Sequence, residues 1–99
     1  MKKTIDIANI IKSKSADDDQ KGNLVFKKIK EECKGNEETI FLDFEKIELL
    51  NTAFLNNAIG QLFNKNEFDL STHSVKIINI DKSMIDLLEE TIKAAKMKY

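Results

Sequence analysis

Residues 40–63, IFLDFEKIELLNTAFLNNAIGQLF, contain the change from strand-like to helix-like sequence that decides the fold. The stretch opens with consecutive apolar residues, which predict a central strand over 38–44 that is covered on both faces. After the polar pair Asn51-Thr52, apolar residues recur at helical spacing and predict an amphipathic helix. Thr52 therefore stands where the helix begins, either as part of its cap or as a functional hydroxyl.

The rest of the chain continues this alternation of strands and helices. The predicted elements are strands at 3–8, 38–44 and 75–80 and helices at 20–34, 52–64 and 82–96, with Asp81 as the last N-cap and Gly35-Asn36 as a helix stop. The polar segment 12–23 is predicted to be a loop, and Gly60 is expected to let its helix pack closely against the sheet. This order predicts an α/β fold with a mixed or mostly parallel sheet of about four strands and helices packed against it.

Length and composition indicate a single soluble domain over residues 1–99, in which the first 20 residues are the part least defined by sequence. The chain is 41% apolar and 33% charged, with a formal net charge of -1, so it lacks the basic surface expected of nucleic-acid or anionic-membrane binding. Asp6 and Asn9 interrupt the early apolar residues, which argues against a signal peptide. With one cysteine and no long apolar run, a cytoplasmic protein is expected.

Residues for catalysis or metal binding are sparse. His73 is the only histidine and is predicted to lie in a loop, far from Cys33, the only cysteine, which the pattern places in a helix. The acidic run 17–19 lacks the alternate spacing of a calcium loop and is interpreted as a solvated loop or a helix start. None of the three glycines forms a phosphate-binding motif. We therefore expect no enzymatic activity, no cofactor and no metal.

The stretch quoted above resembles the STAS-like domain family of bacteria, relatives of the anti-sigma factor antagonists. In that family a strand ending in Leu-Asp-Phe or Leu-Asp-Leu precedes a short apolar patch, a hydroxyl-rich turn and an amphipathic helix. Leu42-Asp43-Phe44, the patch 47–50 and the turn 51–54 match this pattern, and VKIINIDKSMIDLLEE looks like the closing strand and helix. The resemblance covers roughly residues 22–95.

The resemblance implies a non-catalytic regulatory module that docks a histidine-kinase-like ATPase acting as a serine kinase. Thr52 falls where the antagonists carry their phosphorylated Ser, and Asn51-Thr52-Ala53-Phe54 replaces their Asp-Ser-Ser-Gly. The expected partner-binding residues are Asn51, Thr52, Ala53, Asn56 and Asn57. Asp43 is expected to orient the loop before Thr52 by accepting backbone hydrogen bonds.

Three interpretations stay open at this point. The first is the docking module, in which Thr52 is a phosphorylated switch or in which Asn51 or Thr52 is only the helix cap, which contributes about 1 kcal/mol to stability. The second is a passive scaffold of a signalling complex without phosphorylation. A homodimer is compatible with either of these roles. A third alternative is a small ligand such as a nucleotide at the helix N-terminus, which no glycine-rich loop supports.

Overall fold

The computed structural model describes residues 2–33 and 39–99. The strands are β1 (Lys2–Asp6), β2 (Ser15–Ala16), β3 (Thr39–Asp43), β4 (Leu49–Leu50) and β5 (Ser74–Ile78). The helices are α1 (Ile7–Ile11), α2 (Asp19–Glu32), α3 (Thr52–Ala58) and α4 (Lys82–Lys98), with a 3₁₀ turn at Gly60–Phe63. The predicted helix stop at 35–36 lies outside the described residues.

The main sheet contains three parallel strands in the order β1-β3-β5. The register aligns Ile5 with Leu42 and Leu42 with Ile77, so apolar side chains share the face that the helices cover. On the opposite face Thr4 and Lys76 are exposed and flank the half-buried Phe41. The α/β fold with a parallel sheet is confirmed, but the prediction that β3 is covered on both faces is wrong.

A separate two-stranded parallel ribbon pairs β2 with β4. Ser15 lies opposite Leu49, and the carbonyl of Lys14 accepts hydrogen bonds from the amides of Glu48 and Leu49 at 2.8 and 3.3 Å. The polar segment predicted as a loop therefore contains a strand of only two residues. The described strands divide between a sheet of three and a ribbon of two rather than forming one sheet.

The first strand is shorter than its alternating pattern suggests because Asp6 begins a helix. Its carboxylate accepts a hydrogen bond from the amide of Asn9 at 3.3 Å and caps α1, so Ile7 is buried as a helix residue. The cap predicted at Asp81 is confirmed, since its carboxylate accepts from the amide of Ser83 at 2.9 Å. Short polar side chains thus fix where both helices start.

The helix predicted over 52–64 changes character near its middle. Phe54, Leu55 and Ala58 are fully buried, as the apolar stripe predicts, but the α-helical part ends at Ala58. The chain continues as the 3₁₀ turn that starts at Gly60, a poor helix former. A Cβ on Gly60 would lie 3.9 Å from the Cβ of Ala95, so this glycine faces α4 and not the sheet as expected.

Helices α2 and α3 approach each other closely at Gly22. A Cβ at this position would overlap the backbone carbonyl oxygen of Phe54 and lie 3.0 Å from the Cβ of Asn57. Gly22 is buried at this crossing, while Val25 and Ile29 of the same helix are fully buried in the core, as their spacing predicts. The absence of a side chain at residue 22 therefore sets the distance between the helix bearing Thr52 and its neighbour.

Candidate functional site

Asn51 holds the start of α3 through both ends of its side-chain amide. Its Oδ1 accepts a hydrogen bond from the amide of Phe54 at 3.0 Å, and its Nδ2 donates to the carbonyl oxygen of Asp17 at 2.7 Å. The first bond is an N-cap, and the second ties α3 to the segment that precedes α2. Of the two residues considered for the cap, Asn51 is the one that makes it.

Thr52 is the first residue of α3 and is exposed. Its hydroxyl makes no hydrogen bond to any described part of the chain, so the start of the helix does not depend on it. A hydroxyl that is accessible and not used in folding is available to a partner or to a modifying enzyme. This geometry is compatible with the phospho-acceptor role that the resemblance implies, which stays a prediction.

The other predicted partner-binding residues lie on the same outer side of α3. Ala53 and Asn56 are exposed, and Asn57 is half-buried. The Nδ2 of Asn57 donates to the carbonyl oxygen of Ala53 at 3.4 Å and comes within 3.5 Å of the carbonyl oxygen of Asp19 in α2. With Asn51 and Thr52 these residues form an uncharged polar surface, called the α3 surface below.

The α3 surface borders a groove of about 290 Å³ between α3 and the end of α4. The groove is lined by Asn56, Asn57, Gly60, Gln61, Ala94, Ala95, Lys98 and Tyr99. Three side-chain amides on one wall offer both donors and acceptors, which suits the backbone of a bound peptide segment. The sequence did not predict this groove because its two walls come from distant parts of the chain.

Asp43 ends the central strand and accepts two hydrogen bonds with one oxygen. Its Oδ1 accepts from the amide of Glu45 at 2.9 Å and from the Nδ2 of Asn79 at 3.1 Å. Asn79 has a left-handed backbone conformation with φ 56, which asparagine tolerates better than most residues. Asp43 thus fixes the turn that follows β3, whereas its predicted role in orienting the loop before Thr52 stays a prediction.

The acidic run begins α2, one of the two interpretations given by its sequence. Asp18 caps the helix by accepting from the amide of Lys21 at 2.7 Å. Asp17 accepts a hydrogen bond from the Nζ of Lys21 at 2.8 Å, which lowers the pKa of Asp17 and raises the pKa of Lys21. Within residues 2–33 and 39–99, no three acidic, histidine or cysteine side chains are placed to hold a metal ion.

His73 and Cys33 are closer in space than their sequence positions suggest. They line one shallow groove with Lys30, Glu67, Phe68 and Asp69, so the prediction that they lie far apart is wrong. The ring of His73 packs against Phe68 with centroids 5.7 Å apart, and its Nδ1 is buried without a hydrogen bond to the described residues. Cys33 is buried at the C-cap of α2.

A comparison with known protein families supports the STAS-like resemblance of the strand, turn and helix described above. Residues 21–84 match the model of the family described as STAS-like domain of unknown function. The chain therefore belongs to this STAS-like family. Searches of curated proteins and of solved structures gave no match. None of the helices in the described ranges has the length and apolar content needed to cross a bilayer.

Proposed function

We propose that this chain is a regulatory protein-binding module that docks a histidine-kinase-like ATPase through the α3 surface. The observation that carries the proposal is the division of roles at the start of α3. Asn51 makes the cap, and the neighbouring Thr52 presents a hydroxyl that the fold does not use. Membership of the STAS-like family supports a binding role for the turn and helix that follow the central strand.

Phosphorylation of Thr52 would act as the switch. The α3 surface carries no charged side chain of its own, and a phosphate would add a charge of about -1.5 to -2 to it. Asp19, which is exposed, lies on the neighbouring helix, and its backbone carbonyl oxygen is within 3.5 Å of the Nδ2 of Asn57. A partner that fits the uncharged surface would meet a bulky dianion there and lose affinity.

The groove beside α3 extends the same docking surface. A segment of the partner that runs along it would meet Asn57 and Gln61 on one wall and Lys98 on the other. The amides would satisfy the backbone groups of that segment, and the lysine would favour an acidic side chain or a carboxylate. Binding would then bury Asn56 at the junction of groove and helix.

The experiment starts with affinity capture of the ATPase from the source organism, followed by calorimetric titration of the purified pair. Thr52→Asp is expected to raise Kd about tenfold or more, equal to about 1.4 kcal/mol or more. Thr52→Val, which replaces the hydroxyl with a methyl group of similar size, is expected to block phosphorylation and to leave binding within about threefold. Asn66→Asp adds the same charge at another exposed position and is the matched control.

The outcomes separate docking from switching. Loss of affinity in Thr52→Asp but not in Asn66→Asp, together with phosphate on Thr52 after incubation with the ATPase and ATP, supports both parts. Equal affinity of wild type and Thr52→Asp refutes the switch and leaves the docking role standing. Failure of any such ATPase to bind the purified wild-type chain refutes the docking proposal itself.

A further inference from the structure

The outer edge of β1 is an unused hydrogen-bonding edge. In the part of the chain that the structure describes, β1 pairs only with β3, and no strand lies on its other side. An edge strand presents a row of backbone N–H and C=O groups that can pair with another strand. Among the strands that the structure describes, β5 forms the second edge of the same sheet.

The side chains of β1 are complementary to themselves in the antiparallel direction. Lys2, Thr4 and Asp6 alternate onto the open face of the sheet, where Lys2 and Thr4 are exposed and Asp6 is partly so. If two copies of β1 pair about a two-fold axis at Thr4, Lys2 of each copy stands opposite Asp6 of the other. Directly opposed residues of opposite charge stabilise a strand pair, and two threonines are a favourable central pair.

The register follows from the pleat. Paired residues must point to the same face, so even-numbered residues of β1 face each other across the axis. A shift by two residues that centres the pair on Lys3 would put two lysines opposite each other. The register centred on Thr4 retains full overlap of both strands and forms two opposite-charge pairs.

The carboxylate of Asp6 is held in position before any second copy arrives. Its Oδ1 accepts from the amide of Asn9 at 3.3 Å, and its Oδ2 accepts from the Nζ of Lys46 at 3.3 Å. Both interactions restrain the group beside the strand, so a Lys2 from another copy would meet a carboxylate that is already oriented. Lys3 faces the helices instead and pairs with Glu32 at 3.2 Å.

The other edge lacks this complementarity. β5 has Lys76 at its centre, on the open face and exposed. Antiparallel pairing of two β5 strands would place Lys76 opposite its own copy, and like charges directly opposed destabilise a strand pair. A central lysine is a common device that protects an edge from pairing.

We infer that two copies of this chain associate through their β1 edges to form a continuous six-stranded sheet, with Lys2 of each copy paired to Asp6 of the other. The interface is isologous, as a two-fold dimer requires. Because a five-residue edge buries little area, we expect a weak dimer that forms only at high protein concentration. The surface is independent of Thr52 and of any ATPase.

Sedimentation analysis of the full chain, with any tag at the C-terminus, tests the dimer up to about 1 mM. Lys2→Glu alone and Asp6→Lys alone each create two like-charge pairs and should raise the dimer Kd about tenfold or more. An equimolar mixture of the two variants restores opposite charges and should form a heterodimer with about the wild-type Kd. Lys76→Glu, on the other edge, should leave the dimer unchanged.

A second variant covers the case in which Asp6→Lys fails to fold, since Asp6 also caps α1. Thr4→Lys changes only an exposed side chain and puts two lysines together at the axis, so it should abolish the dimer. A wild-type chain that is monomeric at about 1 mM overturns the inference. A dimer unaffected by Lys2→Glu and by Thr4→Lys overturns it as well, because association then uses another surface.

Discussion

Replacing Gly22 with alanine separates two opposing physical effects at the crossing of α2 and α3. In an exposed helix this change stabilises by about 1 kcal/mol, because alanine is the better helix former. Here the new methyl group would overlap the backbone carbonyl oxygen of Phe54 and contact the Cβ of Asn57 at 3.0 Å. A backbone carbonyl cannot rotate away as a side chain can, so α3 must shift as a whole.

The overlap sets the expected magnitude. Overpacking by one methyl group in a rigid core costs about 1–3 kcal/mol, and contact with backbone places Gly22 at the upper end. Subtracting the gain of about 1 kcal/mol in helix propensity leaves a net loss of about 2 kcal/mol. For a chain of this length the midpoint of thermal unfolding should fall by roughly 10 °C.

The assay is urea and thermal unfolding followed by circular dichroism. Gly60→Ala is the matched control, because its Cβ would meet Ala95 and the carbonyl oxygen of Leu55 only at 3.9 Å, an ordinary contact. Gly60→Ala should change stability by less than about 1 kcal/mol. If Gly22→Ala proves as stable as wild type or more so, the close approach of α2 and α3 is not a constraint on this fold.

The remaining predictions concern the ends of the same two helices. Asn51→Ala removes the cap of α3 and the bond to the carbonyl of Asp17, so it should lower the free energy of unfolding by about 1–2 kcal/mol in urea, whereas Thr52→Ala should change it by less than about 0.5 kcal/mol. Equal losses in both variants would contradict the assignment of the cap to Asn51. Because Lys21 lowers the pKa of Asp17 in the folded state, the unfolded state binds more protons in acid. The stability from this pair is present above the ordinary Asp pKa of about 4 and is lost as pH falls through the lowered pKa. In Lys21→Met the free energy of unfolding should therefore fall less steeply as the pH is lowered through this acid range, called the acid limb. An unchanged acid limb in that variant would exclude the pair as its source.

Local sequence signals predicted the elements whose boundaries depend on nearby residues. The spacing of Val25 and Ile29 placed the buried face of α2, and Asp81 marked the start of α4, because caps and helical periodicity act within a few residues. The predicted first strand ended two residues too late, at residue 8, because Asp6 begins a helix at a point where the apolar pattern fits a strand equally well. Periodicity alone cannot distinguish the two over so few residues.

Features formed by distant residues could not be predicted in the same way. A strand of two residues, such as Ser15–Ala16, carries no periodicity, and it exists only because β4 lies beside it. For the candidate site, the sequence placed Thr52 at a helix start, but the bond from Asn51 to Asp17 spans 34 positions and depends on the fold. The steric role of Gly22 likewise requires knowledge of the helix that crosses it.

The β2–β4 ribbon has a consequence for the order in which the molecule assembles. Its few hydrogen bonds join segments 34 residues apart, so on its own it cannot offset the entropy of closing so long a loop. We therefore expect the ribbon to form after α2 and β3 have brought these segments together and to be among the first parts to open in the native state. Its amide hydrogens should exchange with solvent well before those of β3, and each opening would loosen the start of α3. Access to the backbone around Thr52 would then depend on a local unfolding equilibrium as well as on the static surface.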